Sequence, residues 1–255
     1  MRTSLPIMAL AATFTLAACD DATTTPSEDD RLNSDVAEVV ADAALEDLAV
    51  MTATTPNPGP QAAFGPFGQG GGLGDRAGLE RNRTVTFYDE SDTEQEAFDE
   101  LLTASIHVAT IVEGGIDRDA FSASVRRARD MWVTGLAGEE ITRTWNGSGS
   151  SDISRTRITD DAGTRSYELD ADATVEEVVR AVDREAQPWP LSGTITREVT
   201  VTIVNGPNGD VTRERMTVLT FNGTQFAILT VDGEEFEVDL AARAAERASR
   251  KKGQP

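Results

Sequence analysis

Cysteine, histidine and lysine are almost missing from this chain, which carries one cysteine, Cys19, one histidine, His107, and two lysines, Lys251 and Lys252. A lone cysteine excludes an internal disulfide, so stability has to come from burial and hydrogen bonding. No His/Cys cluster can assemble, and zinc or another soft-ligand metal is not expected. Any Ser–His–Asp mechanism would have to use His107, which sits beside Ser105 in a candidate strand with no nucleophile motif nearby. A structural or surface histidine is the expectation. Aromatic residues make up only 5% of the chain, too few for the girdles of a membrane β-barrel. Basic residues are also scarce, 23 against 44 acidic ones for a net charge of −21. That balance argues against nucleic acid and against electrostatic adhesion to anionic lipid.

Catalytic and metal motifs are missing too. Gly147-Ser148-Gly149-Ser150-Ser151 does not match the nucleophile elbow G-x-S-x-G and reads as a hairpin turn. Asp170-x-Asp172-x-Thr174 starts like a calcium loop, but Val175 stands where the tight-turn glycine belongs and the twelfth position holds no Glu. Asp117 and Asp119 are a weaker version of the same idea. The glycines of 68–74 match neither a dinucleotide fingerprint nor a P-loop. Carboxylates are abundant, yet nothing singles out two of them as a hydrolytic pair. No catalytic, metal-binding or cofactor-binding residue is assigned, and an enzyme is not expected.

The N-terminus is more specific. Met1 and Arg2 give a short basic start, Ile7 to Ala18 an apolar stretch ending in small residues, and Leu16-Ala17-Ala18-Cys19 follows. The stretch is shorter than the roughly 20 residues a membrane span needs. These residues resemble the lipobox of bacterial lipoproteins. The resemblance implies cleavage before Cys19, a thioether-linked diacylglycerol on its thiol, and palmitate-type acylation of the new amino group. Each buried CH₂ contributes about 0.8 kcal/mol, so two or three chains hold a protein on a membrane while one does so only marginally. The expected location is the bacterial cell envelope, on the inner or outer membrane.

Downstream, 19–32 is a short acidic tether with a Thr-Thr-Thr-Pro run. Residues 33–53 place Val36, Val39, Val40, Ala43 and Ala44 at helical spacing after Asn33, Ser34 and Asp35, any of which suits a cap. An amphipathic helix is expected, packed on the domain or on a partner. Residues 54–80 are rich in Pro and Gly and read as a linker, with Phe64 and Phe67 its only apolar landmarks. Residues 241–255 form a short helix or a frayed tail.

Between 81 and 240 the chain is rich in Thr, Val and Ile. Alternation marks strands over Arg83 to Tyr88, Ile106 to Val112, Ile141 to Trp145, Ile153 to Ile158 and Thr164 to Leu169. Four more, Thr194 to Val204, Val211 to Phe221, Gln225 to Val231 and Glu235 to Leu240, are separated by Asn-Gly or Asp-Gly turns and predict a meander. Two helices are expected within this region. One runs from the capping box Ser91-Asp92-Thr93-Glu94 through Leu102. The other is read from Val175, Val178, Val179 and Val182, a segment that suits a strand as well. The fold class is mainly β, an antiparallel meander forming a curved sheet or a two-sheet sandwich with one to three short helices. Trp132, Trp145 and Trp189 are expected in the core, Trp189 as a rigid corner between two prolines.

Arg, Thr and Glu follow one another in several strands, as in Arg155-Thr156-Arg157, Thr196-Arg197-Glu198 and Thr212-Arg213-Glu214-Arg215. One reading is an Arg-lined groove for an anionic ligand. The other, adopted as the expectation, is a solvated face with cross-strand Arg–Glu and Thr–Thr pairs. The functional expectation is a lipid-anchored binding or scaffolding β-domain whose partners are the membrane, through Cys19, and an envelope protein or an apolar ligand. A periplasmic carrier of an apolar ligand is the alternative, and a carboxylate hydrolase comes third.

Overall fold

The computed structural model describes residues 33, 37, 40, 41, 43–45 and 47–51 of an N-terminal helix, α1, together with 79–118, 121–158, 163–206 and 209–252. The signal peptide, tether and most of the linker expected from the sequence lie outside these residues, as do Cys19, Phe64, Phe67 and Asp119.

One open antiparallel sheet of ten strands forms the body of the protein, ordered β10-β9-β8-β7-β6-β5-β4-β3-β1-β2. The strands are β1 (Leu79–Tyr88), β2 (Glu94–Gln95), β3 (Ser105–Arg118), β4 (Phe121–Thr134), β5 (Thr142–Ile158), β6 (Thr164–Ala181), β7 (Ser192–Gly206), β8 (Gly209–Thr220), β9 (Phe226–Val231) and β10 (Glu234–Asp239); a C-terminal helix, α2 (Leu240–Lys252), follows. It is a single sheet and not a sandwich. The Asp232-Gly233 turn between β9 and β10 has positive φ at both residues, 47° and 90°, as a tight two-residue hairpin requires.

Helix α1 supplies the second layer. Val40, Ala44, Leu45, Leu48 and Met51 are buried in one cluster with Ile106, Val108, Met131, Val133, Trp145, Val178, Ile195 and Leu229 from the sheet. Leu240 and Ala244 of α2 join the same cluster beside Val238. The face that carries α1 is called the inner face below. No helix among the described residues is long and apolar enough to cross a membrane.

Four expectations are corrected. Leu79 and Glu80, read as linker, open β1 and pair with Gly114 and Glu113. Gly147 to Ser151 is no turn but the middle of β5, which joins the two short strands read around it. The glycines are there for room. A Cβ on Gly149 would lie 2.5 Å from Cδ of Arg129, and one on Gly147 would lie 2.2 Å from the Asp130 carbonyl oxygen.

The helix read from Val175, Val178, Val179 and Val182 is instead the end of β6, which stops at Ala181. The pairing shifts between Trp145/Gly147 on β5 and Val178/Val175 on β6, with Glu177 at φ 48°. This bulge resets the alternation, so Val175 and Val178, three apart, are both buried on the inner face and mimic helical spacing. Asn146 Oδ1 accepts the Glu177 N–H at 2.8 Å.

The helix read at 91–102 is a run of turns around β2. Asp89 accepts the N–H groups of Ser91 and Thr93, and Asp99 those of Leu101 and Leu102, which draws the backbone into local turns. Phe98 packs against the core beside Phe87, 6.0 Å between ring centres, while Leu101 and Leu102 stay exposed. Finally, β4, a strand the sequence reading passed over, pairs with β3 and β5 along its length.

Candidate functional site

Period two sends neighbouring residues to opposite faces, and the register then decides which charges meet. Row by row on the inner face, Thr110, Arg129, Gly149, Ala173, Arg197 and Thr217 lie abreast across β3 to β8. The next row is Val112, Arg127, Ser151, Ala171, Val199 and Arg215, and the one beyond it Gly114, Val125, Ile153, Leu169, Val201 and Arg213. Then come Arg155, Tyr167, Ile203 and Val211, and at the hairpin end Arg157 opposite Arg165. Arg81 and Arg83 extend the pattern into β1.

No Asp or Glu occupies an inner position of β1 or of β3 to β8. The carboxylates of those strands stand on the other face, where the row Glu113, Arg126, Asp152, Asp170, Thr200 and Glu214 is typical. Arg126 is the one arginine there, 3.8 Å from Glu113 and 3.8 Å from Asp152. The expected cross-strand Arg–Glu pairing is therefore overturned for β7 and β8. Arg197 and Glu198, or Arg213 and Glu214, are adjacent in sequence and so point to opposite sides. Thr–Thr pairing does occur, with Thr202 and Thr212 hydroxyls 3.3 Å apart.

Where α1 lies on the sheet, it supplies partners to the arginines beneath it. Asp47 reaches down between two of them. Its Oδ1 accepts from Arg129 Nε at 2.6 Å and its Oδ2 from Arg197 Nη2, all three side chains being buried. Burial lowers the pKa of Arg197, opposed first by the charge of Asp47. Arg129 also donates to the carbonyl oxygens of Ala128 and Ser150. Further along the helix, Arg180 donates to the Leu48 carbonyl at 3.1 Å and to that of Pro188 at 3.3 Å. Burial first, and then the charge of Arg184, pulls the Arg180 pKa down to about 9. At the other end of α1, Asn33 accepts from Arg215, which also faces Asp232 at 3.2 Å.

Beyond those rows the arginines change character. Arg81, Arg155, Arg157, Arg165 and Arg213 are exposed, and among the described residues no carboxylate lies within ion-pair distance of them. Arg157 and Arg165 face each other directly across β5 and β6, and like charges in that position repel. Between the arginines the floor is apolar: Leu169 and Val201 are buried, and Val125, Ile153, Tyr167 and Ile203 half-buried.

The residues singled out in the sequence do not form a site together. His107 lies on the outer face, hydrogen-bonded to Asp130 at 2.8 Å and stacked on Trp132 at 4.7 Å. Trp132, expected in the core, is 40% exposed, and Tyr88 packs on it at 5.3 Å. Trp145 is fully buried and Trp189 half-buried against the core. Asp170, Asp172 and Thr174 sit in β6 on the outer face, while Asp117 is exposed at the far end of β3. Glu113, Ser124, Arg126, Asp152, Glu168 and Asp170 border a shallow outer hollow of about 490 Å³. Among the described residues no three His, Cys, Asp or Glu side chains converge as metal ligands would.

Comparison with protein-family models, with curated proteins and with solved structures finds no match to this chain.

Proposed function

We propose that this is a lipid-anchored bacterial envelope protein, acylated on Cys19, whose β-domain binds a partner and performs no chemistry. The binding surface in this reading is the inner face of the sheet. The observation that carries it is the separation of charge across that sheet. In a chain of net charge −21, β1 and β3 to β8 keep all their arginines but Arg126 on one side of the sheet and their carboxylates on the other. A sheet stabilised for its own sake gains more by pairing the two signs across strands. A field of one sign instead draws in a ligand of the other.

The anchor is tested by feeding labelled palmitate to a bacterium expressing the chain and fractionating its membranes. Label and membrane association that are both lost in Cys19→Ser support the reading. An unlabelled wild-type chain in the soluble fraction overturns it.

A second reading, a carrier of an apolar ligand, has less support: of the apolar row Val125, Ile153, Leu169 and Val201, the last two are already buried in the core cluster. The part of the inner face nearer Trp145 is filled by α1, so a ligand there would first have to displace the helix.

A further inference from the structure

Trp132 stands on the outer face of the sheet with 40% of its surface exposed. Alternation along β4 puts it there, between Met131 and Val133, which are buried on the inner face. It does not stand loose. His107, abreast of it on β3, stacks on its ring at 4.7 Å and 26°, and Tyr88 of β1 packs on it at 5.3 Å. The imidazole is fixed in turn, because its Nε2 lies 2.8 Å from Oδ1 of Asp130. Three strands thus hold an indole in one orientation and leave part of it in solvent, an order complete before any ligand arrives.

The neighbours of the indole say what it suits. Thr86 and Asn146 lie in its row on the outer face, Asp130 and Ser148 in the row on one side, Thr134 and Thr144 in the row on the other. Each of the six carries a hydroxyl, an amide or a carboxylate. A lipid or an apolar peptide needs a contiguous apolar patch, and none of these positions extends one. Exposed aromatic surface in a field of hydrogen-bonding groups fits a ligand that is apolar on one face and polar at its rim. A sugar ring of the β-glucose type has that form, with axial C–H groups on both faces and hydroxyls around its equator. The C–H groups meet the electron-rich face of the indole, and the hydroxyls reach the acceptors and donors beside it.

We propose that the outer face around Trp132 binds a linear, uncharged glycan, one sugar ring stacked on the indole and its hydroxyls taken by Asp130 and Asn146. Oδ1 of Asp130 bonds His107, so Oδ2 is the acceptor. Oδ1 of Asn146 accepts from the Glu177 backbone, so Nδ2 is the donor. The other carboxylates of this face, such as Asp152 and Asp170 facing each other across β5 and β6, repel an acidic polysaccharide and select an uncharged one. The site is separate from the arginines of the inner face and does not rest on them.

The test titrates the whole chain, kept in a detergent without a sugar headgroup, with cellohexaose and with chitohexaose. Saturation-transfer NMR and tryptophan emission report binding. At least one hexasaccharide should bind at millimolar concentration, shift the emission and take its strongest saturation at ring C–H protons. Oligogalacturonate of the same length should not bind. Trp132→Ala should weaken binding about tenfold, the loss expected for one good ring contact, and Trp132→Phe should recover part of it. Circular dichroism checks that the sheet persists in both variants. Arg155→Gln/Arg157→Gln, on the inner face, should bind like the wild type.

Absence of binding by both hexasaccharides overturns the site. Binding that survives Trp132→Ala in a folded chain overturns the indole as its platform. Binding lost instead in Arg155→Gln/Arg157→Gln overturns the outer face and moves the glycan to the inner one. Equal binding of oligogalacturonate overturns selection by charge. Displacement of the hexasaccharide by tetramethylammonium at equal concentration overturns the sugar and leaves a site for a cation held over the ring.

Discussion

The carboxylate of Asp47 lies 2.6 Å from Nε of Arg129, two side chains 82 residues apart in sequence and both buried where α1 meets the sheet. Arg197 closes the group from β7. A buried carboxylate between two guanidiniums contributes less to net stability than its short contacts suggest, because each charge has lost its water. Removing one member is a different matter. Asp47→Ala leaves two buried cations without a counter-charge and should cost about 3–5 kcal/mol, read as a lower urea midpoint. Replacing all three by apolar residues of similar size, Asp47→Leu with Arg129→Met and Arg197→Met, should recover most of that loss. If Asp47→Ala unfolds at the wild-type midpoint, the group does not hold α1 to the sheet.

The space under Arg129 is set by the missing side chain at position 149. Gly149→Ala should push the Arg129 stem away from Asp47 and cost about 1–3 kcal/mol, the usual penalty of overpacking. Ser150→Ala, one residue on and facing outward, should stay within about 0.5 kcal/mol of wild type. Thermal denaturation of the two variants side by side makes the comparison.

Trp132 and Trp145 differ in access to solvent. Acrylamide should quench the emission of Trp132, and the Trp132→Phe variant should therefore be quenched less than the wild type. Trp145 has no exposed surface; Trp145→Ala should destabilise by about 3–5 kcal/mol. Equal quenching of wild type and Trp132→Phe would contradict the exposure of the His107–Trp132 stack.

The turn after β1 should loosen in acid. Backbone N–H groups, of Thr93 first and then of Ser91, hold the Asp89 carboxyl below its usual pKa. A carboxyl depressed on folding stabilises the turn above the ordinary aspartate range, and that contribution disappears as pH falls through the lowered folded value. Amide exchange at Ser91 and Thr93 should accelerate over that acid window in the wild type. In Asp89→Asn the same amides should show no such pH step. A step that persists in Asp89→Asn would assign it to another group.

Much of the fold was legible, and the reasons are local. Thr194 onward alternates cleanly and its turns carry Asn-Gly or Asp-Gly, so β7 to β10 could be read without knowing what they pack against. Strand β4 was not readable in that way. Its inner positions include Arg127 and Arg129, which break the apolar alternation of Val125, Met131 and Val133. Arg129 is tolerated there only because Asp47 arrives from a helix whose position no local pattern discloses. Val175 and Val178 misled for a related reason, since one bulge at Glu177 converts a period of two into an apparent helical step.

The candidate site was half legible. The succession Arg197-Glu198 and Arg213-Glu214-Arg215 was visible, and period two already puts the two signs on opposite sides. Which side gathers the arginines, and that Arg157 comes to face Arg165, depend on register across strands and on the layer α1 adds. Both are long-range facts.

The order of the elements along the chain carries a last consequence, for the course of folding. Each strand from β4 to β10 pairs with the one made just before it, so the sheet can grow by successive hairpins as the chain is synthesised. Helix α1 is made first and has no surface to meet at that moment. The β3–β4 hairpin brings Ile106, Val108 and Arg129; only with β7, 150 residues after Asp47, does Arg197 arrive. The earliest helix is thus among the last elements to gain all its partners, and the sheet has to assemble beneath it.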